Sequence, residues 1–222
     1  MKIIPLKLKD RRFDNWSSEV EDCWHYADFL NHRSWRCGWI SFDCCYYLPE
    51  TKRVYCGITS FDADIFWAFD RKSGEFMECG FGPVRNPYDA KFHRSLLQWK
   101  TDGCLYAAIA LLHDIDRYWE APGGAIVRHN PLTGETVKLA IPLPHHYIQS
   151  IYLAQETGII YGITFTPEQM FSFDIRSSES RDLGPLGSGF EMGQGENIEI
   201  DGEGCASSGV WVDPCLAVDS RA

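Results

Sequence analysis

The sequence repeats itself with a period of just over fifty residues, and this repeat restricts the fold more than any other feature. Three segments align on tyrosines: Tyr106 lies 51 residues after Tyr55, and Tyr161 lies 55 residues after Tyr106. Within each segment apolar and polar residues alternate between short polar turns, which predicts antiparallel strands. Repeats of this length are typical of propellers and solenoids.

Each repeat has four strand-sized segments and almost no helical periodicity, which favours propeller blades. We therefore predict an all-β fold, a partial β-propeller of about three four-stranded antiparallel blades plus the start of a fourth. An ordinary β-sandwich is the alternative. Residues 1–40 match the repeat poorly and are predicted to pack on the first blade of an incomplete propeller at 41–222. The predicted blades are 41–90, 91–144 and 145–190, with a partial blade at 191–222, and the predicted inner strands lie near 44–48, 95–99 and 149–153.

Each repeat also contains a polar turn before its outermost strand. These turns are Asp70–Gly74, Asn130–Gly134 and Asp174–Ser178. The start of a fourth repeat follows as a short strand at Asn197–Ile200, an Asp201-Gly202 turn and a further strand, with no outer strands expected. Since a closed propeller needs at least four blades, the chain is either a truncated member of a longer family or has open edges covered by another copy.

Composition narrows the class of partner. The net charge of −10 argues against nucleic acid or an anionic membrane as the main partner. No apolar run approaches a membrane span, and the first twelve residues do not form a signal peptide. The nine cysteines form no Cys-x-x-Cys pair, which fits a reduced, cytoplasmic setting. Five cysteines fall in apolar strand runs, where we expect small buried side chains: Cys44, Cys45, Cys56, Cys79 and Cys104.

Residues 23–37 contain cysteines and histidines that a zinc site could use. Their spacing fits no closed zinc-binding pattern, so packing is the favoured interpretation. We predict no metal ligands and no cofactor.

The histidines gather in loops that a propeller brings to one mouth of its central channel. His93 precedes one inner strand, His145 and His146 precede the next, and His113 lies in a connection between second and third strands. That connection is enlarged: 24 residues separate Tyr106 from Asn130, against 15 between the equivalent Tyr55 and Asp70. An enlarged polar loop on a regular scaffold is a common place for function. The alternative is a surface loop whose charges pair with each other.

The run His113–Gly124, with the segments Phe92–Ser95 and Tyr147–Ser150, resembles the seven-bladed propeller polysaccharide lyases, the ulvan lyases in particular. The resemblance covers roughly Cys44–Trp211. It implies cleavage of a uronic-acid-containing polysaccharide or oligosaccharide by β-elimination, with two histidines, a tyrosine and an arginine on one face. By position, His93 and His113 match the histidines and Tyr147 matches the tyrosine. The arginine would be expected within Thr164–Glu168, where this sequence has none.

Elimination needs a neutralised carboxylate, a base for the adjacent proton and an acid for the departing oxygen. His93 and His113 are assigned to the first two roles in undetermined order, and Tyr147, with a pKa lowered by nearby positive charge, to proton transfer. The expected substrate-binding residues are Arg94, Asp116, Arg117, Tyr118, Trp119, His145 and His146.

Other functions remain open. The same face could serve a non-catalytic carbohydrate-binding or interaction propeller, or the chain could be an inactive fragment. Paired carboxylates for glycoside hydrolysis are a further alternative, because Asp114, Asp116 and Glu120 share the enlarged loop.

An incomplete propeller also predicts self-association. The first and last blades each leave one apolar sheet face uncovered, and such faces recruit partners. We expect Ile160, Phe171, Phe173 and Val210 on one end face, and Val54, Trp67 and Phe69 on the other. Light scattering on the purified chain at tens of micromolar should show oligomers, and restoring downstream blades should give a monomer. A stable monomer of the 222-residue chain would contradict this prediction.

Overall fold

The protein is all-β and forms a partial β-propeller, as a computed structural model shows. It describes residue 31 and residues 40–111, 119–165, 168–186, 198–200, 205–208 and 218–219. Among these residues, no helix is long and apolar enough to cross a membrane. The strands are β1 (Ser41–Leu48), β2 (Arg53–Thr59), β3 (Phe66–Asp70), β4 (Glu75–Glu78), β5 (Asp89–Gln98), β6 (Leu105–Leu111), β7 (Ile126–His129), β8 (Thr136–Ala140), β9 (Tyr147–Ala154), β10 (Ile159–Phe165), β11 (Gln169–Asp174), β12 (Glu179–Pro185), β13 (Ile198–Ile200), β14 (Cys205–Ser208) and β15 (Val218–Asp219).

The strands form three antiparallel blades of four, each running outward in chain order. The first blade is β1 to β4, the second β5 to β8 and the third β9 to β12. One bridge, Thr59 to Lys91, joins the second strand of the first blade to the inner strand of the second. The predicted fold class is therefore confirmed, and the inner strands β1, β5 and β9 overlap the predicted segments.

The hydrophobic core lies between the blades. One cluster joins the first two blades, where the rings of Phe66 and Phe92 stack with their centroids 4.7 Å apart. A second cluster joins the second and third blades around Trp99, Tyr106 and Phe171. The second strand of each blade is buried on both faces, which explains its nearly continuous apolar sequence.

Three of the four residues assigned to the last blade's open end face were predicted wrongly, and the fourth, Val210, lies outside the described residues. Ile160, Phe171 and Phe173 are fully buried in the cluster between the second and third blades. The ring of Phe171 also fills the space beside Gly162, where an added Cβ would lie 2.0 Å from the ring. Tyr161 belongs instead to the separate cluster on the blade's other face. The alternating apolar pattern of a strand shows which residues share a face of the sheet. It does not show which neighbouring blade packs against that face.

The predicted turns share one hydrogen-bonding pattern. The Oδ1 atoms of Asp70, Asn130 and Asp174 each accept hydrogen bonds from the backbone N–H groups two and three residues later. Gly74 and Gly134 close their turns at φ values of 74° and 75°. A short polar side chain at the turn entry therefore sets the geometry of each outer hairpin.

A fourth sheet follows the third blade. Strands β13 and β14 correspond to the predicted start of a fourth repeat. A third short strand, β15, pairs with β14, although no outer strand was expected there. Of the five cysteines expected to be buried, Cys56, Cys79 and Cys104 are buried, whereas Cys44 is partly buried and Cys45 is exposed.

His129 is a buried histidine of the core rather than a loop residue. Its Nδ1 lies 2.8 Å from the hydroxyl of Thr136, which itself donates to the carbonyl of Cys79. The hydroxyl therefore accepts from Nδ1–H, and the imidazole also contacts the rings of Tyr55 and Phe66. Burial, assisted by the nearby charge of Arg53, lowers the pKa of His129 to about 4.

This lowered pKa predicts a pH-dependent stability. The neutral imidazole stabilises the fold fully above the unfolded-state pKa of about 6.5, and that contribution is lost as pH falls toward about 4. We expect the loss to be on the order of 3 kcal/mol. In His129→Asn, which keeps a donor to Thr136, the free energy of unfolding should fall less steeply between these pH values. Urea unfolding at several pH values measures both slopes, and equal slopes would contradict the prediction.

Candidate functional site

Each inner strand carries a β-bulge at the same level. Asp43 is the extra residue of β1, and Gln149 is the extra residue of β9. In β5 the irregularity is larger, since residues 93–95 face the single residue Ala108. Arg94 lies 51 residues after Asp43 and 55 residues before Gln149, so these three residues occupy equivalent positions of the repeat.

The bulge of β5 is also strained. Arg94 has a φ of 49°, which is uncommon for a residue with a side chain. Bulges of this kind redirect side chains and are frequent beside active sites. Here the bulge turns Arg94 outward to solvent while its neighbour His93 remains buried. Two consecutive ionisable side chains are thus presented at different depths of one site.

His93 and Tyr147 come together across two neighbouring inner strands. The Oη of Tyr147 lies 3.4 Å from Nδ1 of His93, and the ring centroids are 5.4 Å apart in an edge-on arrangement. His93 is only 3% exposed, and Tyr147 also contacts the ring of Phe165. One of the two predicted histidines and the predicted tyrosine are therefore within hydrogen-bonding distance of each other.

The pKa shifts of His93 and Tyr147 both favour the neutral side chain. Burial is the largest cause that lowers the pKa of His93 to about 3, and the charges of Lys91 and Arg94 lower it further. Burial raises the pKa of Tyr147 above its ordinary value, although Arg94 acts in the opposite direction. The pKa of Tyr147 is thus raised, not lowered as expected from the sequence. At neutral pH, His93 is a neutral imidazole and Tyr147 holds its proton.

Charged residues surround the pair. Asp43 accepts a short hydrogen bond from Thr59, and the hydroxyl of Ser41 lies 3.4 Å from its Oδ1. Lys91 and Arg94 lie close enough to favour the ionised form of Asp43, while burial is the largest effect and raises its pKa. Among the described residues, two cations and one carboxylate therefore act on this pair or lie beside it.

Asp43, Thr59 and Lys91 were not predicted as site residues. The sequence does indicate Asp43, because Asp43 precedes Arg94 by the same 51 residues that separate Tyr55 from Tyr106. Lys91 and Thr59 become recognisable only in the sheet, where they form the bridge between two blades.

His145 and His146 fasten one loop to another. Nδ1 of His145 donates to the carbonyl of Ala121 at 2.7 Å, and the carbonyl of His146 accepts from the N–H of Gly124 at 2.7 Å. The connection before β9 is thereby held against the end of the enlarged loop. Nε2 of His146 is buried and has no hydrogen-bond partner among the residues described. A role of either imidazole in substrate binding stays a prediction.

Part of the predicted site lies outside the described residues, namely His113, Asp116, Arg117 and Tyr118. Trp119 is described and is 56% exposed. Within the described ranges, no three histidine, cysteine, aspartate or glutamate side chains are grouped so that they could hold a metal ion.

The arrangement predicts that Lys91 influences the protonation of His93. Because the charge of Lys91 disfavours the imidazolium, the Lys91→Gln variant should raise the pKa of His93 from about 3 toward its ordinary value, while burial keeps it below that value. Histidine NMR titration measures this shift. The matched control is Lys100→Gln, in the turn after the other end of β5. An unchanged pKa of His93 in Lys91→Gln would contradict the arrangement.

Comparison with known proteins supports the fold. No protein-family model and no curated protein sequence matches the chain. Among solved structures, an oligogalacturonate lyase in complex with manganese is similar over 81% of this chain and 47% of its own, with TM-score 0.53 and 12% identity. The extracellular domain of a one-component system from B. thetaiotaomicron is similar over 77% of this chain and 20% of its own, with TM-score 0.52 and 14% identity.

A structure named as a gluconolactonase is similar over 77% of this chain, with TM-score 0.50 and 14% identity. The chain spans 58% of that structure and 47% of the oligogalacturonate lyase. At such low identity these likenesses show the fold alone, which is a propeller-like one.

Proposed function

We propose that the protein is a lyase-like propeller that cleaves a uronic-acid-containing polysaccharide or oligosaccharide by β-elimination. The observation that carries this proposal is the pairing of Tyr147 with His93, 3.4 Å apart, beside two cationic side chains. The propeller fold shared with an oligogalacturonate lyase is consistent with it.

Lys91 and Arg94 are proposed to neutralise the uronate carboxylate. The charges of both residues lower the pKa of His93, which supports a position near its imidazole for the carboxylate that they would bind. Arg94 is exposed and can form a bidentate pair with a carboxylate. In this proposal Arg94 supplies the charge that the related lyases are expected to draw from the following blade. Pairing with cations makes the proton on the carbon beside the carboxylate more acidic.

The neutral His93 is proposed to take that proton. As the proton moves to the imidazole, the electron pair of the broken C–H bond forms the new double bond and the glycosidic C–O bond breaks. Tyr147 then donates its phenolic proton to the departing oxygen; its raised pKa keeps this proton on the phenol at neutral pH and makes the phenol a weaker acid than a free tyrosine. The contact between Tyr147 and His93 allows the imidazolium to return a proton to the phenolate, so both groups regain their starting forms.

The enlarged loop is proposed to contribute further contacts. His113 is the second histidine of the proposed site, and Asp116, Arg117 and Tyr118 are proposed to bind the substrate. Trp119 is exposed and offers a flat apolar surface on which a sugar ring can stack. His145 and His146 are proposed to line the same region while they hold the loop.

The reaction predicts an absorbance signal, because elimination creates a double bond conjugated with the carboxylate. Mixing the protein with uronic-acid polymers should increase absorbance near the ultraviolet edge. Tyr147→Phe should lower the rate by about 10²- to 10⁴-fold, since a general acid contributes that much. The matched control is Tyr152→Phe on the same strand, which should retain the wild-type rate. Equal loss in both variants would contradict the role of Tyr147.

A non-catalytic carbohydrate-binding propeller is the second candidate, favoured by the low basicity of His93 in the unliganded site. It predicts calorimetric binding of the same polymers without any absorbance change. Binding that Arg94→Met abolishes, with no new double bond, would replace the lyase proposal with this one. An absence of both signals would exclude both candidates for the polymers tested.

A further inference from the structure

The first blade contains two thiols that face each other across neighbouring strands. Cys45 on β1 is in register with Cys56 on β2, and their Sγ atoms are 3.8 Å apart. Direct cross-strand partners have Cα separations of about 4.5 to 5.5 Å, which is within the range that a disulfide spans. The backbone separation of the two residues therefore suits a disulfide, and closure would require the side chains to bring the sulfurs closer than 3.8 Å.

The two thiols differ in their access to solvent. Cys45 is exposed, whereas Cys56 is 4% exposed. Burial is the largest cause that raises the pKa of the Cys56 thiol, and the adjacent Cys45 raises it further. Cys45 is thus the sulfur that an oxidant in solution meets first, and Cys56 is placed behind it to resolve the product.

The neighbouring Cys44 does not compete for the same partner. Successive residues of a strand point to opposite faces. Accordingly, Sγ of Cys44 points toward the second blade, 3.9 Å from the carbonyl of Phe92. Cys45 therefore has Cys56 as its cross-strand partner among the described residues.

We propose that Cys45 and Cys56 form an oxidisable dithiol that closes to a disulfide by exchange with a small disulfide such as oxidised glutathione. The Cys45 thiolate attacks one sulfur of oxidised glutathione and releases one glutathione thiolate. Cys56 then loses its proton and attacks the Cys45 sulfur of the mixed disulfide, which releases the second glutathione. The two protein thiols are oxidised, and one glutathione disulfide is reduced to two thiols.

Closure would stiffen the part of the first blade that carries Asp43. Cys45 follows Asp43 by two residues, and the pair lies directly after the bulge of β1. The disulfide would fix the spacing of β1 and β2 beside the position where Thr59 donates to Asp43. Redox state would in this way influence the site without contacting a ligand.

The test is incubation of the full chain with oxidised glutathione, followed by peptide mapping. We expect a cross-linked peptide pair containing Cys45 and Cys56, with the mass of two hydrogens lost and with reversal by dithiothreitol. The Cys45→Ser variant should lose this product. The matched control is Cys104→Ser, which removes a buried thiol of the second blade and should retain it.

A variant that keeps the fold but blocks resolution separates the two steps. In Cys56→Ser, the mixed disulfide on Cys45 should accumulate, because no partner thiol can displace glutathione. Circular dichroism confirms that each variant is folded. A bond between Cys44 and Cys45, a stable mixed disulfide on Cys45 in the wild-type chain, or no reaction at Cys45 would each overturn the proposal.

Discussion

The structure depends on how each inner strand is tied to the next one near the propeller axis. The residue that follows the bulge makes this link. The hydroxyl of Ser95 accepts the N–H of Ile151 at 2.9 Å, and Sγ of Cys44, one repeat earlier, lies 3.9 Å from the carbonyl of Phe92. Ser150 is the equivalent residue of the third blade, and its hydroxyl is buried without a hydrogen-bond partner among the described residues. These links fix the inner strands at one relative height, so the three bulges lie side by side.

Placing the bulges together has an electrostatic consequence. Polar side chains from three strands are brought into a region whose walls are apolar ring contacts, such as the contact of Tyr147 with Phe165. Burial then disfavours charge on the deepest groups, which explains the opposite pKa shifts of His93 and Tyr147. Arg94 lies exposed at the rim, where the backbone of the bulge has a left-handed φ. The neutral hydrogen-bonding groups, such as His93, thus lie buried, whereas the side chain of Arg94 lies at the surface.

The sequence predicted the blades well because two local signals reinforced each other. Alternation of apolar residues gave the strands, and an Asp or Asn before each outer hairpin gave the turns that the structure confirms at Asp70, Asn130 and Asp174. The orientation of a face was not predictable, as Phe171 shows, because its neighbour depends on how blades stack. Lys91 escaped notice for a similar reason, since its position next to Thr59 is set by pairing between blades. Exposure of Cys45 likewise follows from which face of the first blade it occupies. The sequence therefore predicted the structure within each repeat, but not the contacts between repeats.

The charges around His93 also bear on which ligands the proposed reaction can use. In the unliganded site Lys91 and Arg94 add to burial and lower the pKa of His93, so its imidazole is a weak base. An anionic carboxylate bound between those cations would offset their charge and itself favour the imidazolium, which raises the basicity of His93 when an acidic sugar is present. A neutral sugar would leave the two cations uncompensated and the imidazole weakly basic. In the proposed reaction, the residues that attract the carboxylate would therefore also make the base depend on it, so selection of an acidic sugar and activation of His93 would be one electrostatic effect.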